Sequence, residues 1–322
     1  MATYKGIQGF SIQNLSADPS NPIEGQVWYN STSNVWKVEE ATAAGAWATS
    51  NSLNTARYSS GAAGTQTAAL AFGGEAPPIT GATEEYDGNS WTNSNPLNSV
   101  RLTLGGCGTQ TAGLGFGGTT PAPGTSTGAT EEYDGNSWTN SNPLNTIRRQ
   151  MGSAGTQTAG LGFGGWIPGL SSATEEYDGN SWTSSNPLNT ARSNLAGTGT
   201  QTAGLGFGGG TPPATGATEE YDGSTWTTSN PLNTARGYLG GAGTQTAALA
   251  FGGSPTTGAT EEYDGTSWAT SPASLNTVRA ALAGCGTQTS ALAFGGEIAP
   301  PTGATEEWTG AGAAVTKTIT VS

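Results

Sequence analysis

The segment Thr67-Ala68-Ala69-Leu70-Ala71-Phe72 alternates with a period of two, the mark of a β-strand. One face carries Ala68, Leu70 and Phe72, and the other carries Thr67, Ala69 and Ala71. The pattern returns five more times inside Gly-Thr-Gln-Thr-(Ala/Ser)-(Ala/Gly)-Leu-(Ala/Gly)-Phe-Gly-Gly. Positions equivalent to 69 and 71 are only ever Ala or Gly, whereas the Leu and Phe never change. One face therefore fills space and the other leaves it. That predicts a sheet buried on both sides between neighbours about 10 Å away, with the bulky side chains of one entering the shallow face of the next.

The invariant Phe recurs at Phe72, Phe116, Phe163, Phe207, Phe251 and Phe294, spaced by 44, 47, 44, 44 and 43 residues. A period in this range holds four short strands and marks a propeller or a solenoid. After each Gly-Gly comes a loop, then Ala-Thr-Glu-Glu-(Tyr/Trp), as at Ala82 to Tyr86. Five copies continue as Asp-Gly-x-(Ser/Thr)-Trp, where Asp-Gly supplies a turn between two further strands. Proline, as in Asn95-Pro96-Leu97, then ends the outer strand, and a Pro-Leu-Asn-Thr-Ala-Arg-like stretch closes the unit. No helix is expected.

Composition narrows the function. The 322 residues include 52 Gly and are only 34% hydrophobic, yet ten Trp, nine Tyr and seven Phe are too many for disorder. Length alone suggests roughly two domains, a prior that the repetition overrides. There is no His, which excludes a Ser-His-Asp hydrolase and any His-ligated zinc or copper centre. Ten basic against 23 acidic side chains give a net charge of −13, with Arg148-Arg149 the one basic pair, so nucleic acid is not an expected partner. No apolar run reaches a membrane span, and Met1 to Gln8 lacks a signal-peptide core. Five repeats carry two Glu, one Asp and one Arg each and the sixth lacks the Asp, so −11 of the −13 belongs to the repeat.

A strand ending in Gly-Gly, a second with a Tyr, a Trp after a short turn and then an Arg resemble the kelch repeat of β-propellers, over about residues 46 to 310. The resemblance implies an all-β, six-bladed kelch-like propeller with N- and C-terminal strand extensions, at 1–45 and 311–322. The last Ala-Thr-Glu-Glu strand, Ala304 to Trp308, has no Trp strand after it, and Ala46 to Ser50 is a Trp strand with no repeat before it. The sixth blade is thus expected to be completed by the strand around Trp47, removing free edges.

The second Glu of each pair, Glu85, Glu132, Glu176, Glu220, Glu262 and Glu307, alternates to a face between blades, where kelch sequences often carry a small or apolar group. Each blade also has one Arg: Arg57, Arg101, Arg148, Arg192, Arg236 and Arg279. An unpaired buried carboxylate is costly, so one Glu of each pair is expected to meet the repeat Arg or backbone amides. Paired carboxylates perform acid-base work in glycosidases, but a catalytic pair is needed once and these recur six times, which favours a structural role and no enzyme. No cofactor is expected. Calcium, held through oxygens of the symmetric acidic positions, is the one candidate. Cys107 and Cys285 occupy the same register of non-adjacent repeats, so no disulfide is expected between them.

The repeats also differ from one another in an informative way. The Gly-Thr-Gln and Asp-Gly turns hardly vary, whereas the loop after each Gly-Gly varies in length and content. Binding usually sits on loops held by a rigid scaffold. The most apolar inserts, Trp166, Ile167, Pro168 and Leu170, and then Pro77, Pro78 and Ile79, are therefore the candidate binding face.

Residues 21–38 read as an aromatic hairpin, with Trp28, Tyr29 and Trp36 as a candidate attachment segment. Gly25-Gln26-Val27-Trp28-Tyr29-Asn30, a turn and a Lys-bearing strand resemble a short module of bacteriophage tail-fibre and other virion proteins. Residues 314–322 alternate as a strand able to pair with that hairpin or with a neighbouring subunit. The resemblance implies a non-enzymatic virion structural protein, made in the host cytoplasm and multimeric in the particle. It would be tail-associated or a fibre, contacting other virion proteins or a host-surface glycan or protein. A capsid decoration or head-fibre protein is the alternative, and a carbohydrate-processing enzyme a more distant one.

Overall fold

The computed structural model describes residues 13–19, 26–40, 44–210, 213–311 and 315–319. The expected leaderless start at Met1 to Gln8, residues 21–25 of the hairpin, and positions 314 and 320–322 of the tail lie outside them. Every regular element among the described residues is a β-strand. The chain divides into two compact units, residues 46–310 and residues 1–45 with 311–322.

In the larger unit Gly61–Thr65, Ala68–Phe72, Thr83–Tyr86 and Trp91–Ser94 form an antiparallel sheet in that order, as inner, second, third and outer strands. Its register sets Leu70 beside Glu85, Phe72 beside Thr83 and Tyr86 beside Trp91. Four more sheets repeat this over residues 105–141, 152–185, 196–229 and 240–270. Another joins Ala283–Gly286, Ser290–Phe294 and Thr305–Thr309 to Ala46–Ser50, so that Trp47 lies opposite Trp308. The expected all-β character is present, as repeated four-stranded antiparallel sheets of the propeller kind.

The alternation explains how the sheets stack. Leu70 and Phe72 press on the thin face of the following sheet: a Cβ added to Gly113 would lie 2.7 Å from Leu70 Cδ2, and one added to Gly106 would lie 2.7 Å from Phe72 Cζ. Leu292 and Phe294 likewise pack with Ala69 and Ala71 of the first sheet. Burying each such side chain is worth about 1.5–3 kcal/mol. Rings add specific contacts, with Trp138 centred 4.8 Å from Phe72 and Trp91 centred 4.9 Å from Phe294.

Polar side chains join the sheets as well. Gln110 Nε2 donates to the carbonyls of Ala69 and Tyr86 in the preceding sheet at 3.2 and 2.6 Å, and Gln66 does the same to Ala291 and Trp308. Trp138 Nε1 donates to Thr83 Oγ1 at 2.9 Å, and Trp91 to Thr305. The invariant Gln, Thr and Trp of the repeat are thus its inter-sheet connectors. The Gly-Gly pair is one too: Gly73 and Gly74 have φ of 63° and 103°, and Gly74 N–H donates to the carbonyl of Arg101, on the connection to the next sheet. A side chain at Gly73 would stand 2.6 Å from that carbonyl oxygen.

The smaller unit is one further four-stranded sheet, in the order Gln13–Leu15, Val27–Asn30, Val35–Glu40 and Val315–Ile319. Its first pair is parallel and the others antiparallel. Asp18 organises it, accepting from Trp28 Nε1, Asn30 Nδ2 and Lys37 Nζ. Led by the Lys37 contact, these bonds hold the Asp18 carboxyl down at about 2.

Candidate functional site

The carboxylate chemistry is resolved by the direction each Glu faces. The first of each pair is the fully buried one: Glu84 accepts from the N–H groups of Asn54 and Thr55 and from Arg57, while Arg57 also donates to the carbonyl of Ala71. All six Arg are completely buried, each in an ion pair with the first Glu of its own sheet. The sequence reading assigned the costly position to Glu85 and its equivalents. That needs correction, because both faces of the sheet are interior and the Arg-bearing connection crosses on the Glu84 side. Glu85 is half-buried on the opposite face and accepts from Tyr133 Oη of the next sheet; Glu132, Glu176, Glu220 and Glu307 are held by Tyr177, Tyr221, Tyr263 and Tyr86. Burial, together with the neighbouring carboxylate, pushes Tyr133 up to about 12. Glu262 has no such donor, since Trp308 stands where the other copies have Tyr and its Nε1 donates to Gln288 O instead. Among the described residues no cluster of three or more acidic or Cys side chains is arranged to hold a metal ion.

The two ends of the strands differ. At one end lie the Thr-Gln turns and the Asp-Gly turns, where Asp87 Oδ1 accepts from the N–H groups of Asn89 and Ser90 at 2.9 and 2.7 Å. Asp134, Asp178, Asp222 and Asp264 repeat this, and these amide bonds lower every one of the five carboxyls. At the other end lie the variable loops and the connections between sheets.

Those connections build a ring. Ser59, Thr103, Gln150, Asn194, Tyr238 and Ala281, the second residue after each Arg, all adopt a left-handed backbone with φ between 52° and 59°. Each donates its N–H to the carbonyl of the equivalent residue in the sheet before it, at 2.8–2.9 Å, and Ser59 donates to Ala281 to complete the cycle. The left-handed conformation costs a non-glycine residue roughly 1 kcal/mol, which the hydrogen bonds offset. The preceding residues, Tyr58, Leu102, Arg149, Ser193, Gly237 and Ala280, bridge to the first residue of each variable loop: Glu75, Thr119, Trp166, Gly210, Ser254 and Glu297. Both ring positions hold six different residue types in six copies. This set was missed in the sequence, although its variation without change of length was there to be read.

The ring encloses a channel of ≈ 160 Å³ lined by the inner strands. Outside it, a cavity of ≈ 820 Å³ lies over Tyr58, Glu75, Glu297 and Val278, and one of ≈ 390 Å³ over Arg149, Gln150, Trp166, Leu170, Asn194 and Tyr238. Of the predicted face, Trp166 and Leu170 line the smaller cavity from the ribbon Trp166–Ile167 and Gly169–Leu170. Ile167 is half-buried and Pro168 exposed at its tip; Pro77 and Pro78 are exposed and Ile79 half-buried on another loop, and none of these five residues joins Trp166 in lining that cavity. In the smaller unit Trp28 is fully buried, which removes it from the candidate attachment surface; Tyr29 is half-buried with its ring 5.4 Å from exposed Trp36. Cys107 and Cys285 are free and buried, and desolvation pushes both thiols to about 12.

Sheets stacked by a common face and joined inner strand to inner strand define a β-propeller. A solved structure described as that of YjhT is similar to this chain, with a TM-score of 0.68 and 13% identity over 84% of this chain and 99% of its own. The likeness is one of fold. No protein-family model matches the chain, and no curated protein matches it in sequence.

Proposed function

We propose that the chain is a six-bladed, kelch-type propeller that serves as a non-enzymatic bacteriophage virion protein, tail-associated or a fibre. It contacts a host-surface molecule or another virion protein through the face at the channel mouth. The observation that carries this reading is the contrast between the two ends: repeated turns at one, and at the other two rings of positions that differ in every copy on an otherwise repeated frame. Selection for a catalytic centre concentrates unusual chemistry at one point, whereas here the first Glu of every pair is engaged in the same buried ion pair from sheet to sheet. The cycle of six main-chain bonds and the sheet completed by Ala46–Ser50 support a ring of six.

Electron microscopy of intact particles with a labelled antibody against the propeller tests the mounting, with label expected at the tail. Label over the head, at hundreds of copies, would favour a decoration protein. Purified protein is expected to compete with particles for attachment, and exchanging the Trp166 to Leu170 loop for the short Ser254 to Thr257 version should abolish that competition.

A further inference from the structure

We propose that the ≈ 390 Å³ cavity beside Arg149 binds a carboxylated sugar residue, an inference that rests on the attachment role above and specifies its ligand. The first observation is a count of cations. Six Arg are consumed in buried pairs and Lys37 is paired with Asp18. Arg149, by contrast, has no ion-pair partner among the described residues. Its one side-chain hydrogen bond is a long one of 3.4 Å from Nη1 to Gly124 O, and its buried Nε has none. In a chain of net charge −13, a guanidinium left open is unusual.

The second observation is what surrounds it. No carboxylate lines this cavity, whereas Glu75 and Glu297 line the larger one. The lining includes Trp166 and Tyr238 together with Gln150 and Asn194, the latter donating its amide to Ser193 Oγ, which lines the cavity too. A pyranose has an apolar C–H face and a rim of hydroxyls, so it needs an aromatic surface on one side and amide donors and acceptors on the other. Arg149 is among the lining residues, and its guanidinium, turned in from its long contact with Gly124 O, would add a bidentate fork for a carboxylate. The volume suits one or two sugar units. The site is also held in place, since Arg149 N–H donates to Trp166 O at 3.1 Å and Trp166 N–H to Arg149 O at 2.7 Å, and Gln150, Asn194 and Tyr238 sit in the hydrogen-bonded ring.

Calorimetric titration of the intact protein with a glucuronate-containing disaccharide and its neutral glucose counterpart tests this. The charged sugar is expected to bind at least tenfold more tightly, with the preference shrinking in 0.5 M salt. Arg149→Gln should remove the preference at unchanged melting temperature, and Trp166→Ala should weaken both sugars at least tenfold. Equal binding of the two sugars, no binding of either, or an unaffected Arg149→Gln variant would overturn the proposal, as would displacement of the sugar by equimolar acetate. If exchange of the Trp166 loop abolishes attachment but no uronate binds, the ligand assignment falls and the attachment role stands. Uronate binding with attachment untouched by that exchange supports the assignment and removes the role.

Discussion

A guanidinium and a carboxylate with no exposed surface, such as Arg101 and Glu131 at 3.0 Å, contribute little net stability as a pair but are expensive to separate. Burial draws Arg101 down to about 10, with Glu131 opposing the shift, so it stays charged at neutral pH. Arg101→Ala is therefore expected to cost about 3–5 kcal/mol in denaturant melts. The half-buried glutamates predict a contrast. Glu132→Gln should lower the melting temperature by weakening the bond from Tyr177. Glu262→Gln should leave it unchanged or raise it, because burial raises the pKa of a carboxyl that has no tyrosine donor. The five turn aspartates carry the opposite sign. Their folded pKa values lie below the ordinary 3.8, so their contribution is complete above that pH and is lost as pH falls from there through the lowered folded values. Melting temperature should drop as pH falls below about 4, and Asn at all five positions should flatten the drop. That each Glu pair needed a partner was legible from its burial. Which Glu met the Arg was not, because alternation cannot say on which side a connection crosses.

Within a sheet, two glycines on the face turned to the preceding sheet obey different limits. A Cβ at Gly113 meets only the end of the Leu70 side chain, at 2.7 Å, and Ala already occupies this position at Ala69, Ala248 and Ala291. A Cβ at Gly106 meets Phe72 and also the main chain of Ala62, at 2.8 Å to both its N and O, while Ser153 Oγ donates to Gly106 O from the other side. Gly113→Ala should be nearly neutral, whereas Gly106→Val should destabilise by about 1–3 kcal/mol or more, as chemical denaturation would show. The sequence pattern revealed that one face had to be thin. It did not separate a strand thinned for a side chain from one thinned for a neighbouring backbone, since both read as small residues.

For the whole molecule, the strand Ala46–Ser50 matters more than the residues before it. A chain lacking residues 1–45 should keep the melting transition of the larger unit. Removing five more leaves Thr305–Thr309 as an open edge and Trp308 without Trp47, and such edges recruit other chains; gel filtration should show aggregates. This completion was legible as a count of parts, because one Trp strand stood without a repeat and one repeat without its Trp strand. The ring at the channel mouth was not, because its six residues share a backbone conformation and no side-chain feature. That circle of bonds is made wholly of main-chain groups, and it is therefore indifferent to what it displays. Tyrosine, glutamine and alanine already occupy it with the same geometry. Substitution there can alter what the surface recognises without renegotiating how the protein folds, so in this lineage specificity is free to drift faster than architecture.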